Sequence, residues 1–241
     1  SMEIWNKEAW YALAARNLCI AEEKSLDILT LCNGCNLTLS KVNDDLSADT
    51  ELRTRANTVL KEVGKQFKGG TRVKSILRVL FEDVGPDKIE KLVQKPLIKV
   101  RAALHYGCHI FEELKKFDDV KNPQSLTKLV EATGATVVPY SKQTLCCGFL
   151  AQFYDDDIHL KIVEEKLPSA TQSGANCMIV ICPNCFLRYD LDQVLIEKRF
   201  RRSFQIPILY YPQLLALAIG LPLSDIGLHY HHIIPGARLF L

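Results

Sequence analysis

Apolar positions recur along the chain at two spacings, one helical and one continuous. From residue 5 to residue 24 the side chains Trp5, Ala9, Leu13 and Ile20 fall near helical spacing with no internal Gly or Pro, which predicts a helix. The run DILTLC after it is short and apolar, and predicts a buried strand ending at Cys32. Charged, helix-forming stretches cover 37–46 and 51–67, Lys68-Gly69-Gly70 stops the second, and another amphipathic run covers 75–84. Gly85-Pro86 breaks the pattern, and the stretch to Pro96 reads as a surface connection.

Beyond residue 96 strands and helices alternate. KVRAALHYGC predicts a strand whose end carries Cys108. Asn122-Pro123 offers a cap and first-turn residue for a helix to about residue 133. A strand at 136–139 leads to a loop with Cys146-Cys147, and a helix over 157–172 contains Pro168, which is expected to kink or divide it. NCMIVIC then reads as a buried strand, CPNC as the turn at its end, and 186–200 as a helix; a strand at 206–210 and a helix at 212–219 complete the pattern. This alternation predicts an α/β fold with largely parallel sheets.

The order strand, CxxC, helix around Cys32 and Cys35 recurs around Cys182 and Cys185 at an offset of 150 residues, and LDILTLCNGCNLTL parallels NCMIVICPNCFLRY. Two pseudo-repeated units, 2–96 and 97–241, are therefore expected. The second carries Cys108, Cys146 and Cys147 upstream of its CxxC, and the same offset places their counterparts before residue 1. The first unit is thus expected to be truncated at its start, with an uncovered sheet edge, lower stability and only half a ligand set in Cys32 and Cys35. Ser1, ahead of Met2, reads as a tag remnant and is left out of fold reasoning.

Composition narrows the chemistry. The 241 residues are 48% hydrophobic and 24% charged, which excludes disordered and collagen-like chains. A net charge of +2, with RFRR at 199–202 as the one dense basic run, gives no footprint for nucleic acid. The longest apolar stretch, 214–223, falls well short of the roughly 20 residues of a membrane span. With no secretory leader in SMEIWNKEAW, a cytoplasmic location is expected, where nine cysteines serve as metal ligands, redox groups or core residues rather than disulfides. Cys19 and Cys177, on predicted core elements, read as core residues. No Gly-rich phosphate loop or nucleophile elbow is present, so nucleotide binding and serine hydrolysis are set aside.

Cys108, Cys146, Cys147, Cys182 and Cys185 fall at the ends of parallel strands or in adjoining loops, where open α/β folds bind ligands. A CxxC turn brings two sulfurs to one side of a metal, whereas adjacent cysteines do not readily chelate one mononuclear ion, so Cys146-Cys147 points to a polynuclear centre. Thiolates suit iron–sulfur chemistry or zinc. A closed zinc site using four of the five cysteines and a thioredoxin-like redox turn remain alternative readings. His105 and His109 flank Cys108 and are candidates for proton delivery, with His109 favoured because it lies in the loop; a hydrogen-bonded structural role is the other reading for each. Tyr106 and Asn184 are candidates for hydrogen bonds to sulfur. The His229, His231 and His232 cluster reads as an exposed tail or subunit contact.

The pattern Cys108, Cys146-Cys147-Gly148, Cys182-Pro-Asn-Cys185 resembles the cysteine-rich CCG module found twice in the B-type subunits of heterodisulfide reductases. AARNLCIAEE, DILTLCNGC, LHYGCH, the helix beginning NPQSL and the closing YPQLLALAIGL extend the resemblance over nearly the whole chain. It implies a non-cubane 4Fe-4S cluster on the five cysteines and reduction of a small-molecule thiol disulfide of the coenzyme M–coenzyme B type. It further implies partner subunits that carry iron–sulfur clusters and flavin. With half of a ligand set gone, the isolated chain is expected to be inactive, and zinc-bound or metal-free forms are expected beside the cluster. The alternative is a non-catalytic electron-transfer or zinc-stabilised CCG module, as in some succinate or lactate dehydrogenases. One departure is the segment Gly148-Phe149-Leu150-Ala151-Gln152-Phe153, where the family has a run of glycines, so the pocket beside the centre is expected to differ in shape.

Overall fold

Each apolar run that ends in a CxxC motif folds as a parallel strand followed directly by a helix. The structure is a computed structural model describing residues 2–236 and Leu239. Its contacts divide the chain into two units, Ser1–Ile76 and Leu77–Leu241.

In the first unit, α1 (Lys7–Glu23) begins at Asn6, whose side chain accepts from the Ala9 amide at 2.9 Å. Its buried stripe is Trp10, Tyr11, Ala14, Ala15, Leu18 and Cys19. This is one step around the helix from the expected face, and Trp5 and Leu13 are exposed. Val42, Leu46, Leu60 and Phe67 complete the core around the stripe. Strands β1 (Ile28–Thr30) and β2 (Val73–Ser75) pair in parallel, connected through α2 (Asn33–Ala48) and α3 (Thr50–Lys61). Helix α3 stops short of the expected residue 67, because Phe67 leaves it to enter the core. Asn57 holds Phe67 by donating to its carbonyl at 3.2 Å and accepting from its amide at 2.8 Å.

The second unit is a four-stranded parallel sheet of order β4-β3-β5-β6, with β3 at Arg101–His105, β4 at Thr136–Val137, β5 at Cys177–Val180 and β6 at Ile208–Tyr210. The α/β fold and parallel pairing agree with the sequence pattern. Packing places the boundary at Ile76/Leu77, earlier than residue 96. The expected surface connection contains helix α4 (Pro86–Leu92), which buries Ile89, and the amides of Gln94 and Lys95 both donate to the Ala218 carbonyl at 2.9 Å. Helix α5 (Ser125–Glu131) is capped by Asp118 rather than Asn122, the carboxylate accepting from the Ser125 amide at 2.7 Å. Helix α6 (Asp156–Gln172) runs through Pro168 undivided. After β5 comes α7 (Pro183–Phe200), and α8 (Tyr211–Ala218) follows β6.

The repeat is visible in the backbone. Cys32 precedes α2 at φ −134°, ψ 126°, and Cys182 precedes α7 at φ −136°, ψ 127°. β1 pairs with β2 as β5 pairs with β6. The difference lies on the other edge: β5 also pairs with β3, whereas among the described residues β1 has no second partner.

Candidate metal centre

Strands β3, β4 and β5 are parallel, so the three segments that bear cysteines leave the same sheet edge. From β3 the chain goes first to one side, forming β4, and then to the other, forming β5; this reversal opens a crevice beyond the strand ends. Gly107, at φ +80°, turns the chain after β3, in a left-handed region that L side chains rarely adopt, and delivers Cys108. Cys146 and Cys147 lie beyond β4, and Cys182 and Cys185 lie at the start of α7, where the partly positive helix N-terminus favours thiolate.

All five thiols converge. Cys146 Sγ is 4.0 Å from Cys108 Sγ, and Cys147 Sγ is 3.5 Å from Cys185 Sγ, which also interacts with Cys182. None of the five is in a disulfide. The two adjacent cysteines thus serve opposite ends of the set, as a polynuclear centre requires. Cys147, Cys182 and Cys185 are buried, while Cys108 and Cys146 are exposed. Hydrogen bonding with Cys108 and Cys147, with help from the Gly148 amide at 3.4 Å, pulls the Cys146 thiol down to about 2. The same contact pushes Cys108 up, Cys147 is raised to about 11 by Cys146, and hydrogen bonds to Cys147 and Cys182 raise Cys185. The thiols share protons among themselves, and metal loading must displace those protons.

A polar shell that no sequence motif announces surrounds these thiols. Lys166 of α6 is fully buried and donates to the carbonyls of Gln143 and Leu145, at 2.9 and 2.6 Å. Burial pushes its ammonium down to about 7, against the thiolates of Cys185, Cys147 and Cys146. His159, also on α6, faces the Gly148 carbonyl through Nδ1 at 3.0 Å and the Asp192 carboxyl through Nε2 at 2.6 Å. A carbonyl only accepts, so Nδ1 carries a proton and ties the Cys-Cys-Gly turn to α6. Arg188 stands 3.5 Å from Asp192 and donates to Gln152 at 2.8 Å. The one signal for this shell in the sequence was a charged or titratable residue at positions 159 and 166 of an otherwise apolar helical stripe.

Of the histidines beside Cys108, His105 joins the set: one ring nitrogen lies within 4.8 Å of the Cys147 and Cys185 sulfurs. His109 is half-buried, and among the described residues its side chain makes no hydrogen bond. Tyr106 turns away from sulfur, donating to the Pro123 carbonyl at 2.9 Å and accepting from the Leu126 amide. Asn184 makes no side-chain hydrogen bond among the described residues. Cys19 and Cys177 are buried in their cores, as expected. His232 and the Ile233 amide are held by the buried Asp190, and His231 is buried against Gln213, while His229 and His232 themselves remain exposed. Cys32 and Cys35, in the first unit, are not in a disulfide.

The residues fit a metal–sulfur group. Besides five convergent thiols, His105 Nε2 and the Tyr189 hydroxyl are buried at the set without a protein partner, as polar atoms awaiting an acceptor or donor would be. After Gly148 the chain forms a turn in which Phe149 and Phe153 pack edge to face, with ring centroids 5.5 Å apart.

The CCG cysteine-rich domain family matches residues 102–189. The chain is 36% identical over 229 residues to the B-type subunit of ferredoxin:CoB-CoM heterodisulfide reductase from Methanosarcina mazei, covering 93% of this chain and 76% of that protein. It is 33% identical to the 8-methylmenaquinol:fumarate reductase membrane anchor subunit of Wolinella succinogenes, over 93% of this chain and 78% of that one. It is 31% identical to an Archaeoglobus profundus protein described as like the heterodisulfide reductase B-type subunit, covering 88% and 73%. A crystal structure of a hypothetical protein from Helicobacter pylori shares the fold at a TM-score of 0.76 and 13% identity; the alignment covers 97% of this chain and 43% of that protein. Among the described residues no helix is long and apolar enough to cross a membrane. The chain belongs to the family of heterodisulfide reductase B-type subunits.

Proposed function

We propose that this chain is the disulfide-reducing subunit of a heterodisulfide-reductase-like complex, with a non-cubane 4Fe-4S cluster on Cys108, Cys146, Cys147, Cys182 and Cys185. The observation that carries the reading is the convergence of five free thiols from three strand ends, with adjacent cysteines reaching opposite partners. When bound, such a cluster supplies single electrons and a thiophilic iron surface. Reducing a disulfide consumes two electrons and two protons and releases two thiols. The chain's own residues would anchor the centre through the buried Cys147, Cys182 and Cys185 and leave Cys108 and Cys146 on the exposed side. His105 holds an N–H or a bare nitrogen beside the sulfurs, according to tautomer, and is the better placed of the two histidines to move a proton there; His109 borders the exposed side.

A disulfide of the coenzyme M–coenzyme B type is the substrate suggested by the named relatives, and iron–sulfur and flavin subunits of the same complex would supply the electrons. The unit 77–241, which carries all five cysteines, is then a complete CCG unit. A second reading, a non-catalytic electron-transfer module, draws on the fumarate reductase relative. Anaerobic purification with iron, sulfide and zinc analysis, followed by EPR after adding a disulfide, separates them. The first reading expects iron and sulfide together with a disulfide-dependent paramagnetic signal. Iron without that signal favours the electron-transfer module, and zinc without iron overturns the cluster.

A further inference from the structure

Lys166 sits on the buried stripe of α6 with His159, Leu160, Val163 and Leu167. An ammonium has three donors, and three acceptors surround it: the Gln143 carbonyl at 2.9 Å, the Leu145 carbonyl at 2.6 Å and His105 Nδ1 at 2.9 Å. The rings of Tyr140 and Tyr189 flank it, with centroids 5.6 and 5.8 Å from Nζ. Every one of these partners is neutral. Among the described residues no carboxylate lies within salt-bridge distance of Lys166, although burying a cation is strongly unfavourable unless an anion accompanies it. An apolar chain of similar length would fill the same space. The remaining candidates for the missing negative charge are the cysteines. Leu145 immediately precedes Cys146, and His105 brings a ring nitrogen within 4.8 Å of the Cys147 and Cys185 sulfurs.

We propose that Lys166 is the built-in counter-cation of the five-cysteine centre, a positioning residue that pins the Cys146-Cys147 loop by two carbonyls and orients His105 toward sulfur. With the ammonium donating to Nδ1, the neutral ring carries its proton on Nε2, the atom left buried without a protein partner. That N–H then has a cluster or cysteine sulfur as its acceptor. The proposal rests on an iron–sulfur centre occupying these cysteines. Each electron added to an anionic centre increases its negative charge, so a fixed neighbouring cation favours the reduced form and raises the reduction potential.

The test uses the full chain, anaerobically reconstituted with iron and sulfide, as parent, Lys166→Met and Lys166→Gln, with Lys142→Met as control because its exposed ammonium pairs with Glu165 at the surface. Three quantities are measured: the rate of iron release to a chelator, the midpoint potential, and the melting temperature of the metal-free chain. Both Lys166 variants should release iron at least tenfold faster than parent and control. Where iron is retained, the reduced-to-oxidised ratio at fixed poise should fall at least tenfold, a shift of about 59 mV to more negative potential for a one-electron couple. The metal-free Lys166→Met chain should melt no lower than the parent, whose buried ammonium then has no cluster charge beside it. Unchanged release, or an unchanged potential in a variant that keeps its iron, overturns the proposal alone. A fall in metal-free melting temperature that matches the loss of iron retention would show a role in folding only, and also overturns it. A parent chain that binds no iron overturns the proposed function and this inference together.

Discussion

At the scale of single residues, the support of the Cys-Cys-Gly turn is the most exacting feature. Gly148 has φ +75°, and a Cβ there would stand 3.0 Å from His159 Nδ1 and 3.3 Å from the His159 carbonyl oxygen. Gly148→Ala should therefore cost about 1–2 kcal/mol from the left-handed backbone alone, with the displaced imidazole adding to it. Urea titration of the metal-free chain measures this, and parental stability would contradict the geometry. Asp192 is fully buried between His159 and Arg188. Removing one partner of such a pair costs on the order of 3–5 kcal/mol, so Asp192→Ala should be among the most destabilising substitutions in the second unit in the same titration. Lys166 gives a pH dependence. Burial holds its folded pKa near 7, below the usual lysine value, so the unfolded chain binds more protons between the two. Stability of the metal-free chain should consequently rise with pH across that window, through this group. The slope should be smaller in Lys166→Met, measured as melting temperature against pH in both proteins.

At the scale of elements, the two CxxC helices begin in nearly the same backbone conformation, yet their strands are supported differently. β5 is hydrogen-bonded on both edges, to β3 and β6, and β1 on one, to β2. Leu29 and Leu31, at 51% and 55% exposure, remain open to solvent beside Cys32, whereas all four residues of β5 are buried. Backbone hydrogen bonds with few buried apolar neighbours open first, so amides of 28–30 should exchange faster than those of 102–105 and 177–180. Equal protection in the two sheets would refute this ranking. The elements also show where periodicity misleads. In α1 two interleaved apolar stripes compete, and Asn6 caps the helix after Trp5, so the stripe containing Trp10, Ala14 and Leu18 enters the core while Leu13 stays outside.

At the scale of the whole molecule, the cysteines are unequally distributed between the units. The first contains Cys19, Cys32 and Cys35, and Cys19 is locked in the core, which leaves two thiols at a helix start. The second brings five together. In this 241-residue chain, Cys182→Ser or Cys147→Ser should therefore abolish most bound iron after reconstitution, and Cys32→Ser with Cys35→Ser should leave it nearly unchanged. Iron lost equally in both sets would mean that the first unit shares in the binding.

The sequence alone carried the α/β class, the parallel pairing, the repeat and the five-cysteine set, because these depend on short-range periodicity and on the spacing of one unusual residue type. A CxxC turn between an apolar strand and a helix is a local object, and two copies of it identify each other. Only the tertiary structure decided which partners the polar side chains meet. His105 rather than the loop residue His109 reached the thiols, since the last residue of β3 points into the crevice beside β5. Residues 77–96 joined the second unit because Gln94 and Lys95 bond to Ala218, more than a hundred positions away. Lys166, His159 and Asp192 looked like ordinary helix residues in sequence. Their roles exist because α6 and α7 pack beside the cysteine loops, and burial makes each charge or hydrogen bond there depend on a partner that no local pattern announces.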